Sequence, residues 1–281
     1  MKIGIAFDLK PTSPLPAGAP DDLHEEFDAP VTIRAIAAAL RELGHDVVEL
    51  GNNREFLEKI LADPPDAVFN FAEGTGTSRS REARVPAVCE MLGIPYTGSD
   101  PLALAVSLDK DMTRRIVAEA GVTVPAGMVL GPPREKYEGD FAEFEPLLEA
   151  SGLPLPAIAK PVFEGSSKGI RSKCLVTAAS DLGPAVVGLW NDYRQPVLVE
   201  EFIDGPEVTV GIVGSDPPQV LGVMGIAPKV AVPHFVYSLE VKRDYVAQVE
   251  YACPPALPAD VLRDVEAAAL TAFDALGCSD V

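Results

Sequence analysis

Two stretches of this chain bring together residue types that could hold a polyphosphate and a purine. The first is Lys160-Pro161-Val162-Phe163-Glu164-Gly165-Ser166-Ser167-Lys168-Gly169-Ile170. Its glycines let the backbone turn tightly and approach a ligand. Ser166 and Ser167 add hydroxyl donors, and successive backbone N–H groups can form an anion-binding concavity. Lys160 lies at the end of an apolar run that predicts a strand, Ala157 to Pro161, so its ammonium projects from a rigid support. A flexible hairpin with solvated serines is the plainer alternative. The order G-x-x-x-x-G-K-[ST] is absent, so this is not a Walker loop.

The second stretch is Val197-Leu198-Val199-Glu200-Glu201-Phe202-Ile203-Asp204-Gly205-Pro206-Glu207. An apolar strand ends in carboxylates, Gly-Pro makes a sharp turn, and Glu207 opens the next strand. A carboxylate can accept from the amino edge of adenine, and a second can hold ribose hydroxyls. Solvated acids at an exposed strand end are the alternative for any one of them. Both stretches in one chain make that alternative harder to sustain.

These residues need a scaffold, and hydrophobic periodicity supplies one. Lys2 to Phe7, Val47 to Leu50 and Ala67 to Phe71 read as strands. Between them Ile33, Ile36, Ala37, Leu40 and Leu43 fall at helical spacing after Pro30, and Phe56, Leu57, Ile60 and Leu61 mark a second helix. Alternating strands and helices predict a parallel, doubly wound sheet ending near Gly98 to Pro101. Downstream, helices are expected over Asp109–Gly121, Phe141–Ser151, Ala178–Tyr193 and Leu257–Leu276. In the last of these, Val261, Leu262, Val265, Ala269 and Leu276 form the apolar side. Strands are expected over Val124–Leu130, Ala157–Pro161, Ile170–Val176, Pro196–Ile203, Glu207–Val213 and Val220–Ile226, with a polar loop at Gly131–Asp140.

Composition narrows the partners. The 281 residues carry 23 Lys plus Arg against 42 Asp plus Glu, a net charge of −19. That excess argues against gripping a nucleic-acid backbone or an anionic membrane through a general basic surface. A small anion is still admissible where a few basic residues converge. No apolar run reaches the roughly 20 residues of a membrane span, and the first residues enter a strand at once, so neither a membrane segment nor a secretory signal is expected. Cys89, Cys174, Cys253 and Cys278 are scattered without metal spacing and read as buried thiols of a cytoplasmic protein.

The pair Ala157–Lys173 and Val197–Val213 resembles the ATP-grasp fold in the branch of D-alanine–D-alanine ligases. Leu92-Gly93-Ile94-Pro95-Tyr96-Thr97-Gly98-Ser99, then Leu108-Asp109-Lys110, is similar to that branch as well. The resemblance runs over nearly the whole chain and is strongest from Met91 to Glu207. It implies an α/β architecture: a Rossmann-like N-terminal domain, residues 1–104, before an ATP-grasp fold with a central part, 105–195, and a C-terminal part, 196–281. ATP would lie between those two parts. Lys110 and Lys160 match lysines that reach its phosphates, and Glu164, Gly165, Ser166 and Ser167 match a mobile loop closing over them. Glu200 would accept from the adenine amino group. The backbone at Glu201 and Ile203 would read the adenine edge beside Phe202, and Glu207 would bind ribose. Lys242 matches a lysine of a second loop near the γ-phosphate. With Ser166 it is the expected catalytic pair. The implied chemistry is carboxylate–amine ligation through an acyl phosphate, with amino acids and ATP as small-molecule partners and a homodimer through the N-terminal domain. The alternatives are a ligase for another amino acid or a peptide, and a nucleotide-binding protein without catalysis. A dinucleotide-binding oxidoreductase is excluded, because no G-x-G-x-x-G follows the first strand.

Three departures limit what the resemblance implies. Where the ligases have a Gly-Gly-x-Ser turn, this chain has Phe7-Asp8-Leu9-Lys10-Pro11-Thr12, and either Glu25 or Glu26 falls nearest their substrate-holding Glu. Glu73 stands at the family's His position after the third strand, with Arg79, Arg81, Glu82 and Arg84 following as a carboxylate site or a charged helix face. The family's metal carboxylates and their neighbouring Arg have no match before Val281. Mg²⁺, expected for the family, therefore has no assigned ligands here, and the 281-residue chain is expected to be an inactive, C-terminally incomplete version of a longer protein. Arg243 replaces the Tyr that follows the family's loop lysine, so Arg243 and Glu73 are the expected substrate-selecting positions.

Overall fold

The structure is a computed structural model that describes residues 1–135 and 137–279. It divides into two compact units. The first holds Met1–Leu108 and Val213–Pro218 with the last residues from Leu276, and the second holds Asp109–Ile212 and Gln219–Ala275.

The first unit runs β1 (Lys2–Ala6), α1 (Pro30–Glu42), β2 (Asp46–Gly51), α2 (Asn53–Ala62), β3 (Ala67–Asn70), α3 (Arg84–Leu92) and α4 (Pro101–Leu108). Its sheet is parallel in the order β2-β1-β3, with Ile3 opposite Val47 on one side and Ala67 on the other. Successive side chains of β1 feed two cores, because strand residues alternate faces. Ile5 and Phe7 pack with Ile33 and Ala37 of α1. Ala6 packs with Leu50, Phe56, Ile60, Val68 and Cys89 on the opposite face. Helices thus cover both faces, as the sequence predicts. Parallel pairing also brings the carboxyl ends of all three strands to one edge, which carries Asp8, Asn52 and Glu73.

The second unit runs α5 (Lys110–Glu119), β4 (Gly127–Leu130), α6 (Phe144–Ser151), β5 (Ala157–Pro161), β6 (Leu175–Val176), α7 (Ala179–Tyr193), β7 (Val197–Glu201), β8 (Glu207–Val213), β9 (Gln219–Pro228), α8 (Leu239–Arg243), α9 (Tyr245–Gln248), β10 (Val249–Ala252) and α10 (Ala259–Leu276). One sheet has the order β4-β7-β5-β6 with antiparallel pairing; a second has the order β10-β9-β8. In the first sheet Ala159 faces Val199 and Ile158 faces Glu200. Ala157, Ala159, Val197 and Val199 therefore share the face that packs on α6 and α7 through Phe144, Leu182, Val186 and Trp190. Ile158, Lys160, Leu198 and Glu200 share the opposite face.

Several expectations are corrected. Ile170–Val176 is not a strand: Ser172–Cys174 form one 3₁₀ turn and only Leu175–Val176 pair with β5. The backbone before them bonds elsewhere, with Leu239 N–H donating to Ile170 O at 2.9 Å and Cys174 N–H to Arg171 O. On α10, Phe273 is the buried residue, while Val261, expected on the apolar side, is 40% exposed. Cys253 is exposed rather than buried. Helices α3, α4, α8 and α9 and strand β10 were not expected. No helix among the described residues is long and apolar enough to cross a membrane.

Candidate functional site

The polar face of the second unit's first sheet opens into a cavity of about 380 Å³. Lys160 and Glu200 meet there for a reason visible in the ladder. Glu200 lies directly opposite Ile158, so Lys160, two residues on, is its diagonal neighbour on the same face. The lysine's length closes the gap, and Nζ pairs with Glu200 Oε1. Glu200 is 8% exposed, and among the described residues its Oε2 accepts no hydrogen bond.

Past Glu200 the chain leaves the sheet in steps. Glu201 N–H donates to Ala126 O and Phe202 N–H to Pro156 O. Ile203, also on the cavity wall, has no hydrogen-bond partner for its backbone N–H among the described residues. Phe202 is half-buried, packed on the hydrophobic core and edge-on to His234. Glu207, at the start of β8, completes this side of the cavity.

Lys242 lines the opposite wall from α8. Ser238 caps that helix by accepting from Val241 N–H. The Lys242 ammonium sits 5.1 Å from the Tyr237 ring centroid. Burial lowers the Lys242 pKa, and the Glu207 carboxylate opposes part of that shift. Burial raises Glu207, against the pull of Lys242 and Lys160. The two groups therefore act on each other's charge across the cavity. Tyr237 was missed by the sequence reading. It lines the cavity, and its hydroxyl pairs with Tyr251 at 2.6 Å. Burial, then that hydrogen bond, raises its pKa.

The Gly/Ser loop is strained and tied down. Ser166 and Ser167 have φ of 49° and 59°, a region costly for residues with a Cβ. Gly169 follows at 77°, where an added Cβ would lie 2.7 Å from Pro161 Cγ. Ser167 lines the cavity and donates to Tyr237 O at 3.1 Å, which joins this loop to the one carrying Lys242. Ser166 is exposed. Glu164 is 4% exposed, and its carboxylate is held by Lys168 at 2.6 Å and by Gln195 Nε2 at 2.7 Å. Lys110, the first residue of α5, donates to Glu164 O. The structure thus gathers Lys160, Ser167, Glu200, Glu201, Phe202, Ile203, Glu207 and Lys242 on one cavity; Lys110, Glu164, Gly165 and Ser166 do not line it. Gln195 is the other residue the sequence reading missed. Its partner Glu164 is 31 residues away, and nothing local signals the pairing.

The expected substrate residues are spread differently. Glu25 lies 3.8 Å from Lys10, whereas Glu26 holds Arg81 at 3.0 Å in a pair whose side chains are 2% and 1% exposed. Glu73 has its pKa pushed up to about 8, first by burial, then by Glu82 and Glu26, with Arg81 opposing. Arg243 is exposed and does not line the cavity that Lys160, Glu200 and Lys242 share.

The family model described as the D-alanine–D-alanine ligase C-terminus matches residues 116–281. The chain belongs to the D-alanine–D-alanine ligase family. The ligase of Aquifex aeolicus is 38% identical over 198 residues, 70% of this chain and 61% of that relative, so the match spans less than two thirds of its length. The D-alanine–D-alanine ligase of Bacillus anthracis, solved with ATP, superposes with a TM-score of 0.67 at 21% identity over all of this chain and 79% of the other. The VanG D-Ala:D-Ser ligase of Enterococcus faecalis gives 0.67 at 22% identity, over 99% of this chain and 83% of the other. These likenesses fix the ATP-grasp fold. The Mg²⁺ expected for the ligase family finds no fit here: among the described residues no three His, Cys, Asp or Glu side chains cluster as a metal site.

Proposed function

We propose that the chain forms the ATP-binding part of a carboxylate–amine ligase of the D-alanine–D-alanine type. The carrying observation is the convergence of Lys160, Glu200, Ile203, Glu207 and Lys242 on one cavity. Ile203 N–H and Glu200 Oε2 form a donor–acceptor pair suited to the adenine edge. Glu207 is the acceptor for ribose hydroxyls. Lys160 and Lys242 supply ammonium donors for the phosphates, where fixed positive charge acts most strongly on the charge of the transferring group. Ser166 and Ser167 belong to the loop that closes over them. In the chemistry of this reading, a carboxylate oxygen of the first amino acid bonds to the γ-phosphorus and the bond to ADP breaks. The amine of the second then attacks the acyl carbon, phosphate leaves with the electron pair, and the amine loses a proton. Closure of the two loops that Ser167 links to Tyr237 would keep water from the acyl phosphate. The same reading takes 1–104, 105–195 and 196–281 as its structural parts, amino acids as substrates, a homodimer through the first part and the cytoplasm as its compartment.

A second reading changes the amino-acid substrate. Glu73 replaces the family's His and Arg243 its Tyr. Arg243 puts a permanent charge where the ligases have a phenol that can donate and accept, and Glu73 puts a carboxyl group where they have an imidazole. The deciding experiment is ADP release by the full-length protein with a panel of amino acids and dipeptides. D-alanine as best second substrate supports the first reading, another amino acid or dipeptide supports the second, and release with none contradicts both.

A further inference from the structure

Behind the Gly/Ser loop lies a polar cluster that the nucleotide cavity does not use. Glu164, Lys168 and Gln195 are 4%, 6% and 3% exposed, and none of the three lines that cavity. Gln195 stands just before β7. On one side of it Arg194 N–H ends α7 by donating to Trp190 O, and on the other Pro196 O accepts from Val162 N–H at 3.0 Å. The helix end and the strand ladder therefore set its place beside the loop. Its amide works at both ends: Oε1 accepts from Phe163 N–H at 2.6 Å, and Nε2 donates to Glu164 Oε1 at 2.7 Å. Lys168 Nζ holds the other carboxylate oxygen at 2.6 Å, and its backbone N–H donates to Gly165 O at 2.8 Å. The loop is thus fastened at Phe163–Glu164 and again at Lys168, with only Gly165, Ser166 and Ser167 between. Ser166 and Ser167 span this gap with left-handed backbone, φ 49° and 59°. Such backbone is costly for residues with a Cβ and persists only where the surroundings impose it. Successive N–H groups in a tight turn can converge on an anion. Among the described residues the N–H groups of Ser166 and Ser167 make no hydrogen bond.

We propose that Gln195 is a positioning residue for the nucleotide's phosphates: with the Glu164–Lys168 pair it imposes the Ser166–Ser167 turn before nucleotide arrives. This rests on the reading of the neighbouring cavity as the ATP site. A loop that took shape only around its ligand would lose its freedom on binding, whereas a turn set during folding meets the phosphates with fixed donors. Glutamine suits the position because one side chain supplies an acceptor for Phe163 N–H and a donor for the Glu164 carboxylate. Glutamate there would set a second carboxylate against Glu164, and methionine would fill the space with neither bond.

The test has two parts, both on the full chain. NMR-detected hydrogen exchange without nucleotide reads the turn itself. The Phe163 and Lys168 amides should exchange slowly in the wild type and about tenfold faster in Gln195→Met, and a non-hydrolysable ATP analogue should slow them little further in the wild type. Calorimetry with ATP and with adenosine reads the consequence. Gln195→Met should weaken ATP about tenfold and leave adenosine within about twofold of wild type, whereas a general loss of structure would lower both. Gln195→Glu, which keeps the acceptor and loses the donor, should weaken ATP as well. Thermal melts verify that the variants fold; should they not, the wild-type exchange still decides. A wild type that binds no ATP refutes the ATP reading and the proposal with it. Equal ATP binding by wild type and Gln195→Met overturns the proposal alone. So do equal losses of ATP and adenosine, or wild-type Phe163 and Lys168 amides that exchange freely until the analogue is added.

Discussion

Replacing Lys160 by Met keeps the length of the side chain and removes its charge. In the structure Nζ serves Glu200 Oε1, with the lysine 24% and the glutamate 11% exposed. An ammonium has three donors, so one can hold Glu200 while the others meet phosphate oxygens. Losing a charge-assisted bond of this kind costs about 1.5–3 kcal/mol, which is roughly tenfold to 150-fold in affinity. Adenosine lacks the phosphates and should lose much less. Glu200→Gln removes the carboxylate from the adenine edge and should weaken ATP and adenosine together. The fold should tolerate Lys160→Met at a smaller cost than a fully buried pair would exact, because water reaches both partners. Calorimetry with ATP and with adenosine on the wild type and both variants measures all of this. Equal losses of ATP and adenosine affinity in Lys160→Met, or no loss at all, would refute the assignment of Lys160 to the phosphates.

Other expectations concern stability. Glu26→Ala removes a buried carboxylate from the buried Arg81 guanidinium and should destabilise by about 3–5 kcal/mol in denaturant unfolding, while Glu25→Ala should change it by less than about 1 kcal/mol. Gly169→Ala should destabilise by about 1–3 kcal/mol from backbone strain at φ 77°, and by more if Pro161 cannot move away from the new Cβ; a melt unchanged from wild type would contradict the left-handed turn at this position. Glu73 is raised from 4.5 to about 8, so the folded state binds more protons than the unfolded state between those values. Its contribution to stability therefore falls as pH rises through that window. Glu73→Gln should flatten the decline in melting temperature between about pH 5 and 8, and an identical decline in both proteins would remove Glu73 as its source.

The strand ladder explains what could be read in advance. Alternation along Ala157–Pro161 and Val197–Glu201 puts Lys160 and Glu200 on one face and the alanines and valines on the other, and that pattern is local. Gly and Ser at 165–169 likewise marked a turn that does adopt left-handed backbone at three positions. Long-range partners were illegible. Glu164 looks like a loop carboxylate for ligands until Gln195 and Lys168 hold it inside. Asp8 meets Asn52 and Gly74, 44 and 66 residues away, so their meeting at the edge of the first unit's sheet has no sequence signature. Ile170–Val176 has strand-like composition, but its first carbonyl is taken by Leu239 N–H, and only two residues find a strand partner.

The most direct test of the central claim is diffraction from crystals of the chain grown with a non-hydrolysable ATP analogue. The account predicts adenine density within hydrogen-bonding distance of Ile203 N–H and the Glu200 carboxylate, ribose at Glu207, and phosphate density beside Lys160 and Lys242. Triphosphate density away from both lysines, or adenine away from Ile203, would contradict it.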